Sequence, residues 1–153
     1  LHVRCNGQAI HVGAFATTGS IGKLQFGRAQ YHERKSWKLG WPTPERESEL
    51  NWRLDSAVSL GLVGEVGIHQ IDTATWFLKS PPVAITGHGY VAEYQDGRKV
   101  ADCVQCTFEF PRNFQFHYDA SLSNSFEGQY EMFYGTGGAV MLRDLRGWRR
   151  RMP

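Results

Sequence analysis

The apolar and polar positions of this 153-residue chain change period once along its length. Over residues 6–18, Ala9, Ile10, Val12, Ala14 and Ala16 recur at helical intervals among polar neighbours, which predicts a weakly amphipathic helix. Gly19-Ser20-Ile21-Gly22 ends it, glycine being the usual residue just past a helix terminus. Residues 23–34 read as a strand, with Leu24, Phe26 and Ala29 running out into polar Tyr31-His32-Glu33-Arg34. Residues 35–55 read as a loop carrying Trp37, Trp41, Trp52, Pro42 and Pro44 among charges. Connections of that length are functional or disordered, and three tryptophans argue against disorder. Such a loop either lies over a pocket or packs on the surface. Residues 64–78 form the clearest helix, closed by Pro81-Pro82.

Beyond Pro82 the period falls to two. Strands are predicted at 83–92, 100–110, 114–123, 129–134 and 139–143. Their turns are Gln95-Asp96-Gly97-Arg98, which carries the Asp-Gly hairpin signal, Pro111-Arg112-Asn113, and Gly135-Thr136-Gly137-Gly138. Consecutive strands with short turns predict an antiparallel meander. A helix-rich half followed by a strand-rich half predicts a single α+β domain over residues 1–153, a mostly antiparallel sheet with helices packed on one face. The length suits one hydrophobic core and not two.

Composition narrows the class. The chain is 41% hydrophobic and 21% charged, as in soluble globular proteins, with a net charge of +2. Its basic residues cluster only at Arg143, Arg146, Arg149, Arg150 and Arg151, around Trp148, a segment expected to be a solvated tail. A nucleic-acid partner is therefore not expected. No apolar run approaches the roughly 20 residues of a membrane span. No signal-peptide pattern is visible, and Leu1 stands where an initiator Met would, so the chain is expected to be a piece of a longer one. Cys5, Cys103 and Cys106 make an odd set. In a strand, Cys103 and Cys106 face opposite sides, which suits isolated thiols better than a metal or redox pair, and a reducing, cytoplasmic setting follows.

The candidate chemistry lies on the clearest helix. Glu65, His69, Asp72 and Trp76, spaced four, three and four, fall within an arc of roughly 60°. Gly67, Ile71, Ala74 and Leu78 cluster opposite and are expected to pack on the sheet. A carboxylate one turn from a histidine can orient the ring and support acid–base work. The same spacing also arises from helix-end charges and salt bridges. A metal centre is a weak reading, because no second His sits at ligand spacing. Paired carboxylates for glycoside hydrolysis are weaker still, since Glu65 and Asp72 sit about 10 Å apart along one helix and approach a substrate from one side.

The run Gly61-Leu62-Val63-Gly64-Glu65-Val66-Gly67-Ile68-His69-Gln70-Ile71-Asp72, followed by Trp76-Phe77-Leu78, resembles the signature helix of the Gfo/Idh/MocA oxidoreductases. Thr18-Gly19-Ser20-Ile21-Gly22-Lys23-Leu24 is similar to the family's Gly-x-Ile-Gly-Lys segment, and Tyr134-Gly135-Thr136-Gly137-Gly138-Ala139 to its late hairpin. The resemblance implies an α+β domain that follows a Rossmann domain. It implies that NAD(P) is bound mainly by that other domain, because no strand–GxGxxG–helix unit and no Glu-Lys-Pro segment is present. It implies hydride transfer between a nicotinamide and a sugar, polyol or related hydroxylated substrate. His69 matches the family's catalytic histidine; Glu65 stands where the family usually has Asp, and Asp72 matches a structural position. Tyr31, Arg34, Trp52 and Arg53 are the candidates to line the substrate face, and the sheet is expected to carry a homo-oligomer interface. The rival reading is a non-enzymatic binding or oligomerisation module derived from the same family.

Overall fold

The computed structural model describes residues 2–40, 43–143 and 146–151. A short 3₁₀ turn, His2–Cys5, leads into α1, Gly7–Thr17. Asn6 caps that helix, its side-chain oxygen accepting the Ala9 N–H at 2.9 Å. The first strand is β1, Leu24–His32. The loop after it is not structureless: it holds the 3₁₀ turn Pro44–Arg46, the short α2, Glu47–Leu50, and the 3₁₀ turn Trp52–Leu54. The clearest helix of the sequence is composite, a π-helical turn Val63–Gly67 running into α3, Ile68–Leu78. The remaining strands are β2, Ala84–Tyr90; β3, Cys103–Phe110; β4, Phe114–Ser121; β5, Gln129–Gly135; β6, Gly138–Arg143; and β7, Arg146–Arg151.

The seven strands form one sheet in the order β2-β3-β4-β1-β5-β6-β7. The α+β architecture and the mostly antiparallel sheet agree with the sequence reading. Strand order departs from the expected meander at one place. β1 inserts between β4 and β5, parallel to the first (Ala29 opposite Tyr118) and antiparallel to the second (Ala29 opposite Glu131). Each of β4 and β5 would otherwise present a row of unpaired backbone groups, and β1 satisfies both.

Two connections also differ from expectation. The Asp96-Gly97 turn is not a tight hairpin but part of a longer link between β2 and β3, organised by Asp102. That buried carboxylate accepts the N–H groups of Ala92, Glu93 and Tyr94 at 2.6, 3.0 and 2.8 Å. Burial alone would raise the Asp102 pKa, and these three bonds hold it below the usual carboxylate value. The basic C-terminal segment is not a solvated tail but strand β7, paired with β6. Arg149 is fastened there, donating to Ser20 O at 2.9 Å and lying over the Phe15 ring.

One sheet face carries the core: Val104, Phe108, Phe116, Tyr118, Phe133, Val140 and Leu142 are buried against α1 and α3. The packing faces are offset from those expected. α1 buries Ala9, Val12, Gly13 and Ala16, leaving Ile10 outside. α3 buries Gln70, Thr73, Ala74 and Phe77, while Ile71 and Leu78 are only partly covered. The π turn widens the spacing ahead of α3 and rotates the inward stripe. At Gly67 the turn presses on Tyr118, where a Cβ would meet the ring at 2.7 Å. The glycines of residues 135–138 serve close approach rather than phosphate binding: a Cβ on Gly135 would lie 2.1 Å from Ile21 O, to which the Gly137 N–H also donates.

Candidate active site

A cleft of about 610 Å3 opens at the C-terminal end of β1, between the loop that leaves it, the 49–53 segment and the π turn. Tyr31, Glu33, Trp37, Trp52, Arg53 and Glu65 line it together with Lys35 and Lys38. Four of the residues singled out from sequence, Tyr31, Trp52, Arg53 and Glu65, are thus brought to one place by elements far apart in the chain. The described part of the long aromatic loop lies over a pocket; Trp41 and Pro42 lie outside the described residues.

Charges in the cleft are matched. The Tyr31 hydroxyl donates to Glu33. Glu33 also stands 3.9 Å from Lys35 Nζ, and Lys38 Nζ 3.3 Å from Glu47. Glu65 accepts a hydrogen bond from Ser59 Oγ at 3.2 Å and faces Arg53 Nε at 3.8 Å. The Arg53 guanidinium lies 5.3 Å from the centre of the Trp52 ring and 5.9 Å from that of Trp37. Burial first, then the hydrogen bond to Glu33, push the Tyr31 pKa far above its ordinary value, with the Arg53 charge opposing. Tyr31 is therefore a donor at neutral pH and not a base.

His69 sits one turn beyond Glu65, about 6 Å further along the helix axis, half-buried with its Nδ1 enclosed. The carboxylate of Glu65 is engaged with Ser59 and Arg53, so any orienting of the imidazole by that acid runs beside those contacts. Asp72 lies outside the cleft, paired with Arg4 through two bonds of 2.6 and 2.8 Å. The Arg4 hydrogen bonds hold its carboxyl below the usual value, with His69 contributing less. Arg34 also stands apart: its guanidinium is 3.9 Å from Glu93 and its backbone N–H donates to Ser125 Oγ. Trp37, Glu33 and Ser59 join the site unforeseen. The density of tryptophans in the loop was the only signal for Trp37, and nothing local marks the other two.

Fold and cleft together define an α+β domain whose helix layer and loop wall a polar, aromatic pocket. The family model "GFO/IDH/MocA C-terminal domain" matches residues 11–141, and the chain belongs to that family. Solved structures of similar fold include an NAD binding oxidoreductase from Klebsiella pneumoniae (TM-score 0.77, 17% identity, covering 99% of this chain and 42% of that one). An aldose-aldose oxidoreductase from Caulobacter crescentus complexed with glycerol matches with a TM-score of 0.69 at 17% identity (99% and 45% covered). Levoglucosan dehydrogenase in complex with NADH and L-sorbose matches with 0.68 at 15% (98% and 45% covered). The chain spans less than half the length of these proteins. No curated protein matches it. Among the described residues no helix is long and apolar enough to cross a membrane.

Proposed function

We propose that this chain is the substrate-binding half of an NAD(P)-dependent oxidoreductase acting on a sugar, polyol or related hydroxylated compound. The observation that carries the reading is the cleft walled by Trp37, Trp52 and Glu65, with its acids and bases already paired; His69 is not among its lining residues and stands one helical turn beyond Glu65. Aromatic faces suit the C–H surface of a sugar, and matched charges favour a neutral polyol over an acid. The likeness to proteins whose structures hold glycerol or L-sorbose supports the same class.

The glycine-rich turn at residues 135–138 does not fit the pyrophosphate of a dinucleotide. The amides of the glycine-rich turn are already used, Thr136 N donating to Lys23 O and Gly137 N to Ile21 O. NAD(P) would be held by another domain, and it supplies the hydride chemistry when bound. This chain's part is to grip and orient the polyol. Glu65 and Arg53 offer hydrogen bonds to hydroxyl groups, Tyr31, its O–H given to Glu33, presents its oxygen as an acceptor, and His69 takes the proton of the reacting hydroxyl. Glu65 tunes the site through Arg53 and Ser59. Asp72 is structural, tying α3 to the N-terminal turn through Arg4, and Arg34, which stands apart with Glu93, is left out of the substrate-binding set. The open sheet face, where Phe26 stacks on Tyr134 at 4.4 Å and Arg28 lies over Tyr130, is proposed as the homo-oligomer interface. Three free thiols suit a cytoplasmic setting.

The test is nicotinamide absorbance with the full-length protein, NAD+ or NADP+, and a panel of aldoses and polyols. Turnover with a member of the panel is expected, with His69→Ala lowering kcat at least tenfold. Unchanged kcat in that variant removes His69 from the mechanism. A full-length protein inert to the whole panel favours the binding-module reading.

A further inference from the structure

Trp37 has a backbone φ of 63°. A bulky side chain in the left-handed region crowds its own carbonyl, and such a conformation persists only where its surroundings impose it. Here they do so from both sides. The carbonyl of Ser36, the preceding residue, accepts Arg98 Nη2 at 2.7 Å. Ser36 Oγ is 3.2 Å from the same nitrogen and donates to Asp96 Oδ2 at 3.4 Å. After Trp37, the Lys38 N–H donates to Ser36 Oγ and its Nζ to Asp96 O at 3.2 Å. The Leu39 N–H then donates to Asn51 Oδ1 at 2.7 Å.

Arg98 is the hub of this arrangement. Its side chain is 1% exposed, its Nε and Nη2 grip Asp96 at 2.8 and 2.6 Å, and its plane lies 4.5 Å from the centre of the Tyr94 ring. The paired guanidinium holds the Asp96 carboxyl down at about 2. The loop that carries it connects β2, the first strand in the sheet order, to β3. What its fork does there is reach across 62 positions of sequence to one carbonyl, next to the strained tryptophan. Lysine, with a single donor nitrogen, could not make the two-nitrogen grip on Asp96 that aims Nη2 at Ser36.

We infer that Arg98 is a positioning residue: by clamping the Ser36 carbonyl it imposes the left-handed backbone of Trp37 and so stands that indole as a wall of the cleft, against Arg53. The inference rests on the proposed function for its catalytic consequence, but not for its structural one.

The test uses the full-length protein and its Arg98→Met variant. Hydrogen–deuterium exchange at the Lys38 and Leu39 amides is expected to quicken at least tenfold, with β3 and β4 amides unchanged. With whichever of D-glucose, myo-inositol and glycerol the enzyme oxidises, KM is expected to rise at least fivefold while kcat stays within twofold. Trp37→Gly, which accepts φ 63° freely, is expected to raise KM alike, and adding Arg98→Met to it to raise KM no further. Unaltered exchange at Lys38 and Leu39, or KM effects of the two variants that simply multiply, overturns the clamp. Should none of the three compounds be oxidised, KM is read with whichever other member of the aldose and polyol panel the enzyme oxidises; inertness to the whole panel ends the substrate reading, while the exchange measurement still decides the clamp. Should Arg98→Met not fold, Asp96→Asn, which loosens the same grip, is read by the same exchange.

Discussion

Glu131 offers a clean test of how burial sets charge in this domain. It lies on the core side of β5, opposite Ala29 on β1 and Leu142 on β6, all three buried. Burial pushes its carboxyl up to about 7 from 4.5, and only a bond from its own backbone N–H opposes. The folded protein therefore holds a proton between pH 4.5 and 7 that the unfolded chain has released. Stability falls as pH rises through that window, because the native state binds the extra proton. A shift of this size corresponds to about 3 kcal/mol between pH 4 and pH 8. Glu131→Gln keeps shape and polarity but cannot ionise, so its own burial cost is independent of pH. The assay is urea unfolding of both proteins at pH 4.5, 5.5, 6.5, 7.5 and 8.5. The difference between wild type and variant is expected to grow steadily in favour of the variant, by about 3 kcal/mol across the series. Parallel curves over that range would refute the reasoning and mean that the carboxylate is hydrated in the native state.

Asp102→Ala strips three N–H groups of their acceptor in the 91–102 link, and the cost is expected to be at least about 2 kcal/mol in urea unfolding. Gly67→Ala places a Cβ 2.7–2.9 Å from the Tyr118 ring and hydroxyl, which cannot swing away because Tyr118 is buried and bonded to Leu62 O. A loss of about 1–3 kcal/mol is expected, read as a Tm lower by roughly 3–10 °C in calorimetry.

What was legible in the sequence was local. The change from period 3.6 to period 2 near Pro82 located the helices and the run of strands, because one buried face leaves its repeat in the chain. The alternation in β3 put Cys103 and Cys106 on opposite faces, as their strand positions require. The run from Gly61 to Asp72 pointed to the helix; the aromatic loop left a pocket and surface packing equally open, and the fold brings Tyr31, Trp52, Arg53 and Glu65 to one cleft.

The rest was decided in three dimensions. Periodicity says which side of a strand is buried but not which strand lies beside it, so β1 between β4 and β5 had no signature, and neither did the pairing of the arginine-rich segment as β7. The π turn shifted the inward face of α3 by about a residue, an effect of packing Gly67 on Tyr118 that no 100° count contains. Arg98 read as a plain turn residue and Trp37 as one aromatic among several. Only the folding of residues 96–98 against 36–39 joined them, because a hydrogen bond across 62 residues depends on where two loops end and not on the sequence of either.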